Sequence, residues 1–139
     1  MTKVVRVDHI GVAVNAIEPA AGLYRDMLGM TIEDIITVPE KAARVAFIPA
    51  GESNIELVEP LTPDSWVKKF IDERGEGIHH ICLEVDDIQA ALDCMAAAGY
   101  RLIDRRPVRG AHGLVAFVHP KSCNGVLLEL TQLDHGHGA

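Results

Sequence analysis

The sequence lacks the cysteine patterns of zinc-binding and disulfide-rich proteins. Its three cysteines, Cys82, Cys94 and Cys123, are far apart and odd in number, and none forms a C-x-x-C pair. This spacing argues against a zinc knuckle and against a disulfide framework. We therefore expect reduced thiols, as in a cytoplasmic protein.

Long apolar runs and excess positive charge are also missing. No stretch approaches the roughly 18 apolar residues of a membrane helix. The opening "MTKVVRVDHIGVAV" is interrupted by Asp8 and His9, which argues against a signal peptide. The net charge of −7 and a pI near 5.4 make nucleic acid an unsuitable partner. We expect a soluble cytoplasmic protein with neither a membrane nor a nucleic acid as its partner.

The chain contains an internal repeat. The segment "VDHIGVAVNAIEPAAGLYRDMLGM" (7–30) aligns with "IHHICLEVDDIQAALDCMAAAGY" (78–100), so that His9 falls on His80, 71 residues later. Each copy is an alternating strand, a short polar link (Asn15, or Asp86 and Asp87) able to cap a helix, and a helix that ends near a glycine.

The later strands repeat as well. "RVAFIPAGESNIELVEP" (44–60) resembles "LVAFVHPKSCNGVLLELTQ" (114–132), and each reads as a hairpin of two alternating runs. With further strands expected at 31–38 and 100–107, each half is β-α-β-β-β. The sequence thus predicts an α+β fold: a single domain, 1–139, made of two paired βαβββ repeats (about 5–60 and 76–132). A helix at about 62–75, with Thr62 as its cap and Pro63 in its first turn, joins them. The last segment, 134–139, reads as a flexible terminus.

Strand alternation separates the two adjacent histidines of "GEGIHHICLEV" (75–85). Neighbouring side chains of a strand point to opposite faces. His79 shares its face with Ile81, Leu83 and Val85, which are expected to pack against the following helix, whereas His80 shares the other face with Cys82 and Glu84. His79 is therefore expected to be a structural or surface residue, and His80 to face a site together with its repeat equivalent His9.

Two glutamates fall at equivalent positions inside apolar strands. Glu56 and Glu129 are 73 residues apart, and an unpaired charge there costs several kcal/mol to desolvate. Two carboxylates and two imidazoles form a five- or six-coordinate site with open positions. The sequence predicts a metal site formed by His9, Glu56, His80 and Glu129.

The paired halves and the His, Glu, His, Glu pattern resemble the vicinal oxygen chelate (glyoxalase/bleomycin resistance) superfamily. "VDHIGVAV", "VPEKAARVAF", "NIELVEPL", "RGEGIHHICLEVDDI" and "HPKSCNGVLLEL" resemble the methylmalonyl-CoA epimerases more specifically. The resemblance runs from about residue 5 to 132. It implies a curved mixed sheet around the metal site and a homodimeric assembly.

The resemblance also implies an activity: interconversion of (R)- and (S)-methylmalonyl-CoA, a coenzyme A thioester, through an enolate that a divalent metal stabilises. Glu129 then matches a residue that is both ligand and proton-transfer group, and Glu40 in "VPEK" matches the base on the opposite face. Cobalt is the first expectation for the ion, and manganese, nickel, zinc and iron also suit this donor set.

Other functions remain open at this point. A lactoylglutathione lyase uses a similar ligand set, although "HPKS" favours the epimerase, and some superfamily members bind small molecules without catalysis. Ligand residues alone do not separate methylmalonyl-CoA from ethylmalonyl-CoA, which differ by one methylene. The basic residues that can offer charge to the coenzyme A phosphates or the substrate carboxylate are Arg105, Arg106, Arg109 and Lys121.

Overall fold

The computed structural model describes residues 2–134, so the predicted terminus lies outside it apart from Asp134. The chain forms two compact units. The N-terminal unit is His9–His79; the C-terminal unit combines the residues up to Asp8 with those from His80 onwards.

The strands are β1 (Val4–Ala13), β2 (Asp34–Val38), β3 (Ala43–Ala50), β4 (Ser53–Pro60), β5 (Gly77–Val85), β6 (Val108–Arg109), β7 (Gly113–Val118) and β8 (Leu128–Leu133). The helices are α1 (Ile17–Ala21), which continues as a π-helix (Gly22–Met27), α2 (Trp66–Arg74) and α3 (Ile88–Ala97).

Each unit contains a mixed sheet with the same pattern. In the N-terminal unit the strand order is β2-β3-β4-β1, and in the C-terminal unit it is β5-β8-β7-β6. β1 pairs in parallel with β4 and β5 with β8, whereas the remaining pairs within each unit are antiparallel. The predicted α+β class and the βαβββ repeat are confirmed.

Apolar side chains on one face of the central strands pack under a helix. In the C-terminal unit Leu83 and Val85 contact a core that includes Ile88 and Leu92 of α3, as strand alternation predicted. In the N-terminal unit a corresponding core forms under α1, and a second one forms under α2. Fully burying a side chain such as Leu92 contributes about 1.5–3 kcal/mol. Because these side chains are held under the helices, the alternating side chains of the same strands point to the other face of the sheet.

The helix starts differ from the prediction in one repeat. Asp87 caps α3, since its Oδ1 accepts from Ala90 N at 3.1 Å. Asn15, however, does not cap α1: Glu59 Oε2 of β4 accepts from Ile17 N at 2.9 Å instead. Gln132 makes the equivalent bond to Ile88 N at 2.9 Å in the second repeat. A side chain from the neighbouring strand thus satisfies the first helical N–H in both units.

The predicted N-cap of α2 is wrong by three residues. Ser65 is the N-cap, and its Oγ accepts from Val67 N at 3.2 Å. Thr62 is unsuited to this role because its hydroxyl donates to Asp64 Oδ1 at 2.6 Å within the preceding turn. Pro63 also lies in that turn.

The predicted strand at 100–107 is also wrong. Only Leu102 forms an isolated bridge, to Val118, and β6 begins at Val108. Asp104 is the physical reason, because its Oδ2 accepts from Phe117 N at 2.8 Å. In a regular pair of strands a main-chain carbonyl of residues 100–107 would accept this hydrogen bond. In the first repeat, β2 begins at Asp34, three residues later than expected. Within residues 2–134, no helix is long and apolar enough to cross a membrane.

Candidate metal centre

The N-terminal unit contains a buried histidine–glutamate pair. The parallel pairing of β1 with β4 places Glu56 opposite Gly11. Gly11 is two residues after His9 in β1, so the side chains of His9 and Glu56 lie on the same face of the sheet. His9 Nδ1 and Glu56 Oε2 are 3.1 Å apart. Both residues are buried, with 7% and 8% of their surface exposed.

The C-terminal unit repeats this arrangement. Here the parallel pairing of β5 with β8 places Glu129 opposite Cys82. Cys82 is two residues after His80, so the side chains of His80 and Glu129 lie on the same face of the sheet. His80 Nε2 and Glu129 Oε1 are 3.2 Å apart, and both residues are buried. The register of the two sheets therefore explains why the histidines and glutamates recur at matched positions in the sequence.

The donor atoms of each pair fit neighbouring ligands of one metal ion. Two bonds of about 2.1 Å at right angles place their donor atoms about 3.0 Å apart, close to the separations observed. Imidazole nitrogen and carboxylate oxygen suit first-row divalent metals. A buried carboxylate also requires a compensating charge or hydrogen bonds, which a cation supplies directly.

A phenylalanine occupies the other side of each glutamate. In the antiparallel pairing of the next strand, Phe47 lies opposite Glu56 and Phe117 opposite Glu129. The His80 and Phe117 rings meet edge to face, with centroids 5.9 Å apart. Both phenylalanines are buried, so each glutamate lies between a histidine-bearing strand and a buried aromatic side chain.

His79 has a packing role. Its ring lies edge-on to Trp66 and to Phe70 of α2, with both centroid distances 4.9 Å. The residue is 7% exposed, so it is buried against α2 and is not a surface residue. The prediction that His79 serves the structure is confirmed.

Glu40 lies apart from the strands that carry the pairs. It occupies a single 3-10 turn, Pro39–Lys41, between β2 and β3, and its side chain is exposed. Ala42 ends the turn with a left-handed φ of 49°. Within the described chain, no hydrogen bond or ion pair holds the Glu40 carboxylate. Its catalytic role stays a prediction.

The basic candidates differ in their surroundings. Arg109 is engaged by Asp134, with both carboxylate oxygens 2.7 Å from its Nη1. Lys121 lies beside His119, whose pKa is lowered by partial burial and by the positive charges of Arg101 and Lys121. Arg105 and Arg106 line a groove, described below.

Sequence reasoning missed the charged pair next to His80. Arg6 Nε lies 2.6 Å from Glu84 Oε1, and Arg6 Nη2 lies 3.3 Å from Asp8 Oδ1. Glu84 is 9% exposed and shares the strand face of His80. That buried glutamate in an apolar strand was the available signal, but β1 and β5 are too far apart in sequence for its partner to be identified.

Comparison with known proteins identifies the family of this chain. Residues 8–117 match the Glyoxalase/Bleomycin resistance protein/Dioxygenase superfamily. The ethylmalonyl-CoA/methylmalonyl-CoA epimerase of Cereibacter sphaeroides is 41% identical over 131 residues, 92% of this chain and 98% of that protein. The mitochondrial methylmalonyl-CoA epimerase of Mus musculus is 39% identical over 132 residues, 94% of this chain and 74% of that protein.

A solved structure gives the same result for the fold. A methylmalonyl-CoA epimerase in complex with methylmalonyl-CoA and NH4+ matches with a TM-score of 0.88 and 31% identity, covering 94% of this chain and 96% of that one. The vicinal oxygen chelate fold expected from the sequence is therefore confirmed. The chain belongs to the glyoxalase/bleomycin resistance protein/dioxygenase superfamily and, within it, to the methylmalonyl-CoA epimerase family.

Proposed function

We infer that this protein is a methylmalonyl-CoA epimerase, an isomerase that interconverts (R)- and (S)-methylmalonyl-CoA. The observation that carries this inference is the buried histidine–glutamate pair, repeated at the same register in a chain that aligns with epimerases over nine-tenths of its length. A coenzyme A thioester is accordingly the substrate.

We propose that both pairs hold one divalent ion per chain. His9, Glu56, His80 and Glu129 are its ligands, which leaves positions open for substrate oxygens. Cobalt is the first candidate, followed by manganese, nickel, zinc and iron. When bound, the ion acts as a Lewis acid on the negative charge that develops at the thioester oxygen.

Two carboxylates move the proton in this proposal. Inverting one carbon requires removal of its proton from one face and delivery of a proton to the other. Glu40 removes the proton as a carboxylate, and Glu129 delivers one in its acid form; the roles exchange for the reverse reaction. The exposed Glu40 turn is accessible to substrate, while Glu129 is fixed within β8. General acid–base catalysis of this kind contributes about 10²–10⁴-fold.

Incubation of one methylmalonyl-CoA epimer in deuterated water tests the reaction. We expect the other epimer to form with deuterium at the carbon alpha to the thioester. Treatment with a chelator should abolish inversion, and adding back cobalt should restore it. Failure to invert the substrate under every metal condition would refute the activity; inversion unaffected by complete metal removal would refute the metal proposal alone.

Glu40→Gln tests the proposed base while preserving side-chain shape. We expect metal binding and substrate binding to be retained and kcat to fall by about 10²–10⁴-fold. The variant should still exchange deuterium into one epimer if Glu129 acts on its own face. Glu33→Gln, another exposed carboxylate of the N-terminal unit, is the matched control and should keep the parent rate. Parent-like inversion by Glu40→Gln would show that Glu40 is not the base.

Activity assays with other substrates separate the remaining alternatives. The epimerase proposal predicts no lactoylglutathione formation from the hemithioacetal of methylglyoxal and glutathione. Parallel assays with ethylmalonyl-CoA measure the effect of one extra methylene, for which a difference of about 10–200-fold in kcat/KM is the expected limit.

The proposed assembly is a homodimer. This expectation comes from the family resemblance and requires a direct measurement. Sedimentation equilibrium of the metal-loaded protein should give twice the chain mass of 15.1 kDa. A mass of one chain at assay concentrations would refute the dimer without affecting the catalytic proposal.

A further inference from the structure

The C-terminal unit has a groove that the proposed reaction does not use. The groove lies between α3 and the segment that precedes β6, and its volume is about 450 Å³. This is within the range of small-molecule sites, roughly 300–1,000 Å³. The lining residues are Gln89, Leu92, Asp93, Ala96, Arg105 and Arg106.

The groove lies on the helix-covered face of the unit. Leu92 belongs to the same buried core as Leu130 of β8. Glu129, the neighbouring residue of that strand, points to the opposite face because side chains alternate. A molecule in the groove is therefore separated by the sheet from the His80–Glu129 pair.

The two arginines of the groove form no ion pair with a carboxylate in the described part of the chain. Four other arginines are held by carboxylates: Arg6, Arg25, Arg44 and Arg109. Within residues 2–134, neither the Arg105 nor the Arg106 guanidinium has such a partner, although the chain carries a net charge of −7. Adjacent guanidinium groups bind phosphate through paired, charge-assisted hydrogen bonds and also stack on planar rings.

The rest of the groove combines an apolar floor with a fixed polar wall. Leu92 is fully buried beneath the groove, so the apolar surface of the floor comes from Ala96. Gln89 Nε2 donates to Asp93 Oδ1 at 2.9 Å and to the main-chain carbonyl of Arg105 at 3.4 Å. Gln89 thus joins the two sides of the groove and orients Asp93, which retains a second oxygen able to accept from a hydroxyl.

We propose that this groove binds a nucleoside phosphate. One guanidinium of the Arg105–Arg106 pair holds the phosphate and the other stacks on the base against Ala96. Asp93 accepts hydrogen bonds from the ribose hydroxyls, a known use of acidic side chains. A free nucleotide and the 3′-phosphorylated ADP portion of coenzyme A share this chemistry. The proposal does not depend on the epimerase activity.

Isothermal titration calorimetry of the full chain with three probes tests the proposal. ADP and adenosine 3′,5′-bisphosphate represent the two sources, and inorganic phosphate represents the anion alone. We expect saturable binding of at least one nucleotide with a Kd below about 1 mM, and binding of phosphate weaker by at least about tenfold. Tighter binding of ADP supports a free nucleotide as the ligand; tighter binding of the bisphosphate supports the coenzyme A portion.

Variants connect the binding to the groove. Arg105→Ala combined with Arg106→Ala, and separately Ala96→Phe, which fills the floor without changing charge, should each weaken nucleotide binding by at least about tenfold. Arg101→Ala removes a nearby exposed arginine outside the groove and should leave the Kd unchanged. If a free nucleotide is the ligand, Ala96→Phe should keep the parent KM for methylmalonyl-CoA; if the coenzyme A portion is the ligand, that KM should rise in Ala96→Phe and stay at the parent value in Arg101→Ala. Nucleotide binding that is absent, unchanged in both groove variants, or no tighter than that of phosphate would overturn the proposal.

Discussion

Replacing His79 and His80 separately by alanine tests the assignment of two adjacent histidines to different roles. The two residues are adjacent in β5 and are buried to a similar degree, with 7% and 8% of their surface exposed. His80 pairs with Glu129, whereas His79 packs between Trp66 and Phe70. Each substitution therefore serves as the control for the other.

The expected losses follow from these contacts. His79→Ala removes two edge-to-face ring contacts of about 0.5–1.5 kcal/mol each, so the free energy of unfolding should fall by roughly 1–3 kcal/mol. For a chain of 139 residues this lowers Tm by roughly 3–12 °C. His80→Ala removes a proposed metal ligand. Because even the loss of a residue that only orients a ligand costs about 10–100-fold in metal affinity, we expect at least about 100-fold here.

Cobalt titration of the metal-free proteins, followed by absorption spectroscopy and thermal unfolding, distinguishes the two effects. An ion that binds only the folded state raises Tm. The parent and His79→Ala should show the same cobalt affinity and a similar rise in Tm, although His79→Ala starts from a lower Tm. His80→Ala should show neither high-affinity binding nor the rise.

Two results would refute this reasoning. Equal loss of cobalt affinity in both variants would mean that the residues do not occupy opposite faces of a regular strand. Retention of full affinity by His80→Ala would remove His80 from the proposed ligand set. In either case elemental analysis of the purified variants gives an independent measure of the bound metal.

Three further predictions concern the fold. Leu92→Ala should lower the free energy of unfolding by about 2–5 kcal/mol in urea denaturation, because Leu92 is fully buried. Gly113→Ala should lower Tm more than a surface substitution does, since a Cβ would lie 2.2 Å from the Gln132 carbonyl oxygen. The main-chain N–H of Lys3 and the Thr2 hydroxyl lower the pKa of Asp86. That stabilisation is present above the ordinary aspartate pKa and is lost as pH falls through the lowered pKa; Asp86→Asn should therefore reduce Tm at pH 7 while weakening its acid dependence.

The two histidine–glutamate pairs were predictable because two independent patterns agree on them. The internal repeat aligns His9 with His80, and alternation within each strand identifies the face of each side chain. The parallel registers, Gly11 with Glu56 and Cys82 with Glu129, preserve both patterns in three dimensions. Hydrophobic cores under the helices enforce this register, since a shift by one residue would turn every apolar side chain outward.

The failures arose where side chains from distant segments replace local hydrogen bonds. Asn15 has the chemistry of a helix cap, but Glu59 takes that role across 42 residues. The segment around Asp104 has strand-like apolar residues, yet its carboxylate occupies the Phe117 N–H and ends the ladder. Local propensity favours the predicted structure in both cases. The competing acceptor is visible only once the sheet has brought the partner strand near.

The repeat also explains why the proposed base has no counterpart in the second half. Aligning β3 with β7 places Glu40 at the position of Gly110, in the turn before β7. Gly110 N donates to the Gly113 carbonyl at 2.7 Å, and a Cβ at residue 110 would lie 3.0 Å from a Val115 methyl and 3.3 Å from that carbonyl oxygen. A side chain at this position would therefore require its neighbours in the turn to shift by a few tenths of an ångström. Metal ligands can be shared symmetrically between two repeats, whereas inversion of one carbon requires different groups on its two faces. In this protein the proposed asymmetry corresponds to a carboxylate in the turn before β3 and a closely packed glycine in the turn before β7.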